Sequence, residues 1–161
     1  MASRRKGRIL AFQALYSWDV RYSQTGDASI PEGLLDFSWT GNYAQLDEEM
    51  TAFSRLLVIG TVENIAAVDI MIEKHLQNWG LKRLNRVDLA VLRMSVFALM
   101  FRSEIHPSIV IDEAIDISRE FGTDDSYRFV NGVLDSIRKT LVSVSEPADS
   151  EPGDPEPAVS V

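Results

Sequence analysis

The chain has 161 residues, of which 45% are hydrophobic and 25% charged, and its formal net charge is -8. That length supports one ordinary domain burying roughly two-thirds of its unfolded surface, and the composition is that of a globular protein. The absence of cysteine excludes disulfides, thiolate metal sites and a cysteine nucleophile and fits a reducing cytoplasm, while no run approaches the ~20 apolar residues of a membrane span.

Residues 4–22 read as the first helix. Arg4, Arg5, Lys6 and Arg8 open it, and no acid appears before Asp19. The basic start lacks a continuous apolar stretch, because Gln13, Ser17 and Asp19 interrupt it, so it does not read as a signal peptide. On a helical wheel Gly7, Leu10, Ala11, Ala14, Leu15 and Trp18 share one side, and Ile9, Phe12, Tyr16 and Val20 the other. A helix apolar on two sides is either central or packed on one face and partnered on the other. Arg5, Arg8 and Phe12 stand at i, i+3 and i+7 and form one stripe.

Gly26, Pro31, Gly33 and Gly41 punctuate residues 23–46, the least regular stretch, where a short helix over 32–37 fits. Residues 48–79 predict one long helix. Asp47 is a good N-cap, Glu48 and Glu49 lie in the first turn, and Phe53, Leu57, Ile65, Val68, Ile72, Leu76 and Trp79 keep a three/four spacing. Gly60 within it suggests a kink or a close crossing, and Gly80 ends it.

Residues 86–102 predict the core helix, capped by Asn85. Between 87 and 101 only Asp88, Arg93 and Ser95 are polar, so neighbours should cover it on most sides. Residues 107–121 begin with Pro107 at the first helical position and bury Val110, Ala114, Ile117 and Phe121. Residues 124–141 follow, capped by Thr123, with Val130, Val133, Leu134, Ile137 and Leu141 inward and Gly132 allowing a neighbour's close approach. The domain is drawn over 1–141. Residues 142–161 read as an acidic, proline-rich, disordered tail. Five of the 24 acids lie in 146–161 with no base, which leaves 19 acids against 16 bases, a net -3, in residues 1–145.

A positive patch on a negative body is the electrostatic footprint of a nucleic-acid contact. Alone it is equally a solvated N-terminus. Continuation into an ordered helix bearing Phe12 and Tyr16 favours the first reading, since cations joined to ring faces bind single-stranded RNA. Phe129 lies off the inner face of its helix and is either a second-layer core residue or an exposed stacking platform. Asp112, Asp116 and Glu120 share a helix face that reads as solvated or as a docking surface for a basic partner. His75 and His106 are isolated, so no metal site is expected. No nucleotide-binding loop and no nucleophile motif supports an enzyme, a catalytic residue or a cofactor.

These residues resemble the NusB transcription antitermination factors. The likeness runs from the basic start and residues 13–18 (Gln-Ala-Leu-Tyr-Ser-Trp) to 87–93, 112–115, 121–126 and 129–135 (Phe-Val-Asn-Gly-Val-Leu-Asp). It spans about residues 3–140 and leaves out the tail, and loop 23–46 matches no pattern of the family. The resemblance implies an all-α bundle of about seven helices in two packed subdomains. It implies binding of boxA RNA in ribosomal RNA leader transcripts, together with NusE, a small-subunit ribosomal protein, and assembly onto RNA polymerase in the cytoplasm. By position it assigns Arg4, Arg5, Lys6, Arg8, Tyr16, Asp125, Arg128 and Phe129 to the RNA surface, and Asp88 to a protein-partner interface. Lys6 departs from the arginine usual there, which keeps the charge and loses the bidentate fork. Two alternatives stay open. The chain also resembles the N-terminal domain of a ribosomal RNA cytosine methyltransferase, and the first helix's apolar face would suit a homodimer.

Overall fold

The computed structural model describes residues 2–145 apart from 42, 78 and 79, and the expectation for the tail over 146–161 lies outside them. Six α-helices are found among the described residues, one fewer than the resemblance implied: α1 (Ala2–Thr25), α2 (Glu48–Glu63), α3 (Ile65–Lys74), α4 (Arg86–Phe101), α5 (Pro107–Phe121) and α6 (Ser126–Ser145). Single 3-10 turns at Leu34–Asp36, Ser38–Thr40 and Tyr43–Gln45 carry the chain from α1 to α2, and another at Leu81–Arg83 leads into α4. No strand occurs among the described residues.

The caps explain most boundaries. Asp47 accepts from the Met50 amide at 2.7 Å and starts α2, and Asn85 accepts from the Val87 amide at 2.8 Å and starts α4. Pro107 opens α5, with the His106 ring nitrogen accepting from the Ser108 amide at 3.1 Å. Several boundaries differ from the sequence expectation, beginning with α1, which runs from Ala2 to Thr25 and not over 4–22. The long helix over 48–79 is two helices, because the side-chain amide of Asn64 donates to the Gly60 carbonyl at 2.8 Å and leaves helical geometry there. The last of them ends at Lys74, and Trp79 lies outside the described residues. Thr123 does not cap α6. The Asp125 carbonyl takes the first helical bond, from the Phe129 amide at 3.2 Å, and Ser126 Oγ accepts from the Thr123 amide at 2.9 Å. Helix α6 also continues to Ser145, four residues past the boundary drawn at 141.

Helix α4 is the axis of the fold. It packs against all five other helices, while α1 pairs with α2 and α5 pairs with α6. Residues 88–98 are buried without interruption, as the near-continuous apolar run requires. Two glycines permit close crossings. A Cβ at Gly7 of α1 would meet Phe53 of α2 at 2.9 Å, and Ser54 Oγ donates to the Gly7 carbonyl at 2.7 Å. A Cβ at Gly60 would lie 2.1 Å from Cζ of Phe97, so Gly60 serves the α2–α4 crossing. Gly132 serves no such role, since nothing lies within 4 Å of its added Cβ.

Arg93 occupies the middle of α4 and is buried. Its Nη1 donates to Asp19 of α1 at 2.7 Å, and its Nε and Nη2 form a fork on Asp69 of α3 at 2.9 and 3.0 Å. The Trp18 and Tyr22 rings, stacked on each other at 4.4 Å, lie 5.6 and 5.5 Å from the guanidinium carbon. Burial works against the Arg93 charge, but the bonds and charges of Asp69 and Asp19 outweigh it and raise its pKa. Asp69 is shifted upward by burial, with Arg93 opposing that shift.

Removing one member of a buried ion network strands the others. Arg93→Met is expected to lower unfolding free energy by about 3–5 kcal/mol, read from urea melts. A loss below 1 kcal/mol would show that Asp19 and Asp69 find other partners. Gly60→Ala is expected to cost about 1–3 kcal/mol by overpacking, with part of it recovered by adding Phe97→Leu. Gly60→Ala at full stability would show that the crossing is loose.

Candidate nucleic-acid interface

The basic start occupies the first two turns of α1, whose register is set by the Gly7 crossing and by Asp19. Its four cations have different fates. Arg4 is exposed, with its guanidinium 4.2 Å from the centre of the Phe53 ring. Lys6 is exposed at the edge of a groove shared with Gln13 and Trp39. Arg8 is 8% exposed, lies 5.2 Å from the same Phe53 ring, and has its pKa lowered by burial. Arg5 is clasped by α5: its Nε and Nη2 donate to the two oxygens of Glu113 at 3.0 and 3.3 Å, and Nη2 also donates to Asp116 at 2.6 Å. The Glu113 hydrogen bond and charge, then Asp116, raise the Arg5 pKa, and the side chain stays 48% exposed.

The stripe Arg5, Arg8, Phe12 therefore exists but turns inward. Phe12 is buried and meets Phe121 of α5 edge-on at 4.9 Å, so it offers no ring face to a ligand. Tyr16, 43% exposed, keeps one. The acidic face of α5 divides in the same way. Asp112 and Glu120 are exposed, whereas Asp116 holds Arg5. Glu113, which the i, i+4 reading passed over, makes the stronger fork. No group of three or more His, Cys, Asp or Glu that could hold a metal is found among the described residues.

The other expected residues gather elsewhere. Asp88, Asp125, Arg128 and Phe129 line one cleft of about 730 Å³ at the start of α6, together with Arg83 and Asn85. Phe129 is neither fully core nor free: it is half-buried and packed against the core, with its remaining surface toward this cleft. The Arg128 side chain is 73% exposed and 4.0 Å from Asp125. Tyr16 is not in this cleft. It borders a separate, smaller one with Val20 and Arg86.

Asp88 is 6% exposed, and its Oδ1 has no hydrogen-bond partner. Burial pushes its carboxyl above the usual range, opposed by a hydrogen bond from Ser126. A carboxyl raised in the folded state contributes most to stability below its unfolded value, about 3.9, and that contribution is lost as pH rises through the folded value. Asp88→Asn removes the ionisation. It is expected to melt higher than the parent near pH 7, by about 1 kcal/mol of stability, with the gap closing as pH falls toward 4. Thermal melts across that range check this, and a variant less stable at pH 7 would contradict it.

A model of the NusB family matches residues 5–139. The transcription antitermination protein NusB of Treponema denticola is 49% identical over 135 residues, which cover 84% of this chain and 95% of that protein. Its counterpart in Treponema pallidum (strain Nichols) is 46% identical over 137 residues, 85% and 93% of the two chains. Among solved structures, T. maritima NusB superposes with a TM-score of 0.71 at 36% identity, over 84% of this chain and 90% of that one. A chain in the crystal structure of antitermination factors NusB and NusE with double-stranded RNA matches at TM-score 0.67 and 27% identity, over 87% and 98%. The chain belongs to the NusB family.

Proposed function

We infer that this protein is a transcription antitermination factor that binds boxA RNA of ribosomal RNA leader transcripts together with NusE and joins the RNA polymerase antitermination complex in the cytoplasm. It works by binding and not by catalysis. The observation that carries this reading is the exposed, helix-mounted group Arg4, Arg5 and Lys6 on a molecule whose formal net charge is -8. Such a body repels polyanions everywhere except where cations are concentrated. The solved NusB–NusE complex with RNA is a relative over nearly all of its length, which supports the choice of ligand and partner.

In this reading Arg4, Arg5 and Lys6 contact phosphates, and Arg8 adds its charge from beneath them. Tyr16 and Phe129 offer ring faces to bases, and Asp125 and Arg128 flank Phe129 at its cleft. Arg128 contributes a cation and Asp125 an acceptor for base edges. Asp88 is assigned to the NusE side, and because it is buried a partner reaches it through that cleft. No helix among the described residues is long and apolar enough to cross a membrane.

The test is a mobility-shift titration of boxA-like against scrambled RNA, with and without NusE. Arg4→Ala with Lys6→Ala is expected to weaken boxA binding and flatten its salt dependence by roughly 0.7 per lost phosphate contact, at unchanged helical content. Phe129→Ala is expected to cost about 1–3 kcal/mol of binding, with a melt run alongside because the ring also packs on the core. Affinity and salt slope unaltered by all three substitutions would overturn the reading.

A further inference from the structure

The two parts of the proposed RNA surface do not share a cleft, and what lies between them has no role assigned. That intervening ground is the short segment from the Leu81–Arg83 turn to the first residue of α4. Arg86 borders the cleft of Tyr16, and Arg83 borders the larger cleft of Arg128 and Phe129. A strand passing from Tyr16 to Phe129 therefore crosses this segment.

We propose that Lys82, Arg83 and Arg86 form a cationic bridge that carries the sugar-phosphate backbone of a single RNA strand between the Tyr16 and Phe129 clefts. The proposal rests on the RNA-binding reading above and extends the site to residues outside it. Lys82 and Arg83 are exposed, and neither forms an ion pair with a described residue. On a body with more acids than bases, adjacent unpaired cations are a field left unneutralised, as they are at Arg4 and Lys6. The turn that carries them is fixed: the Arg83 and Leu84 amides donate to the Gly80 and Leu81 carbonyls at 3.1 Å each, and Leu84 is buried. Arg86 is held toward the Tyr16 cleft by Asp19 at 3.1 Å, which is itself fixed by Arg93. Its charge is partly neutralised there, so Lys82 and Arg83 supply most of the attraction.

A second observation points to a base rather than a phosphate at the far end of the bridge. The half-buried ring of Phe129 lines the same cleft as Arg83 and Arg128. A ring face with cations at its rim is the pairing that takes a stacked base together with its phosphate. Cations at the rim and a half-buried ring together suit a nucleotide, whereas an acidic peptide would use the rim alone.

The experiment is fluorescence anisotropy with the full chain and two labelled boxA-like strands, one of about 12 nucleotides and one of about 5, sizes that bracket a single-strand site. Lys82→Ala with Arg83→Ala is compared with Arg4→Ala with Lys6→Ala. The first pair is expected to weaken the long strand roughly tenfold near 0.1 M salt and lower its salt slope by roughly 1.4, leaving the short strand unaffected. The second pair is expected to weaken both strands. Both substituted residues of the first pair are exposed, and circular dichroism confirms an intact fold. If that pair binds both strands like the parent while the second pair does not, the bridge is wrong and the RNA reading stands. Equal losses on both strands, or equal competition by polyglutamate, also overturn the bridge. A parent protein that binds neither strand overturns both.

Discussion

A single guanidinium decides how this bundle is assembled. Arg93 lies midway along the most buried helix, where an unpaired charge would be prohibitive, and its donors are distributed over carboxylates from α1 and α3. Only a planar fork reaches both partners at once, which a lysine ammonium does not. Compared with an apolar trio of the same shape, such a network adds little stability. What it confers is registry. Sliding α1 by one turn along α4 would leave Asp19 and Arg93 buried without each other. With Asp19 fixed, the positions of Tyr16 three residues before it and of the basic start about three to four turns before it follow from helix geometry. The same carboxylate orients Arg86 with its second oxygen, so the core network and the surface segment at 81–86 share a member.

The fold was legible wherever the information was local. Apolar spacing located the helices, and Asp47, Asn85 and Pro107 marked their starts because capping and proline geometry act within one turn. The break at Asn64 was hidden, because the apolar spacing runs straight through it. It depends on a side-chain amide choosing a carbonyl four residues back. For the site, the sequence showed which residues were unusual and not which way they faced. The stripe Arg5, Arg8, Phe12 was correctly grouped, but a helix apolar on two sides does not say which side meets solvent. Glu113 was passed over because its fork depends on α1 crossing α5, 108 residues away in the chain. The open question over Phe129 was resolved in favour of neither alternative, since the ring packs on the core and also borders a cleft. Lys82 and Arg83 drew no attention in the sequence, because their significance rests on the two clefts that flank the 81–86 segment.

Four buried polar atoms among the described residues lack a hydrogen-bond partner: Asp88 Oδ1, Ser118 Oγ and the Nε atoms of Arg102 and Arg138. Other buried polar groups are matched: Ser54 with the Gly7 carbonyl, Thr61 with the Leu57 carbonyl, Arg93 with two carboxylates. Asp88 is half-matched, with one oxygen unsatisfied beneath a cleft. Of the four, Asp88 alone lines the cleft shared with Phe129, and natural sequences tolerate such a cost at functional places.

The clasp on Arg5 changes what its charge means thermodynamically. A free surface cation that meets a phosphate releases the counterion condensed there, and that release is what makes nucleic-acid binding sensitive to salt. Arg5 is already neutralised by Glu113 and Asp116. A phosphate that takes it leaves two carboxylates bare, and these gather small cations from solution as the phosphate gives one up. The ion count of the exchange is close to zero. Arg5 therefore contributes little to the slope of affinity against salt while remaining sensitive to geometry, because the phosphate must match a fork already filled by carboxylates. Of three exposed cations in one helical start, two act as charge and the third as a mould.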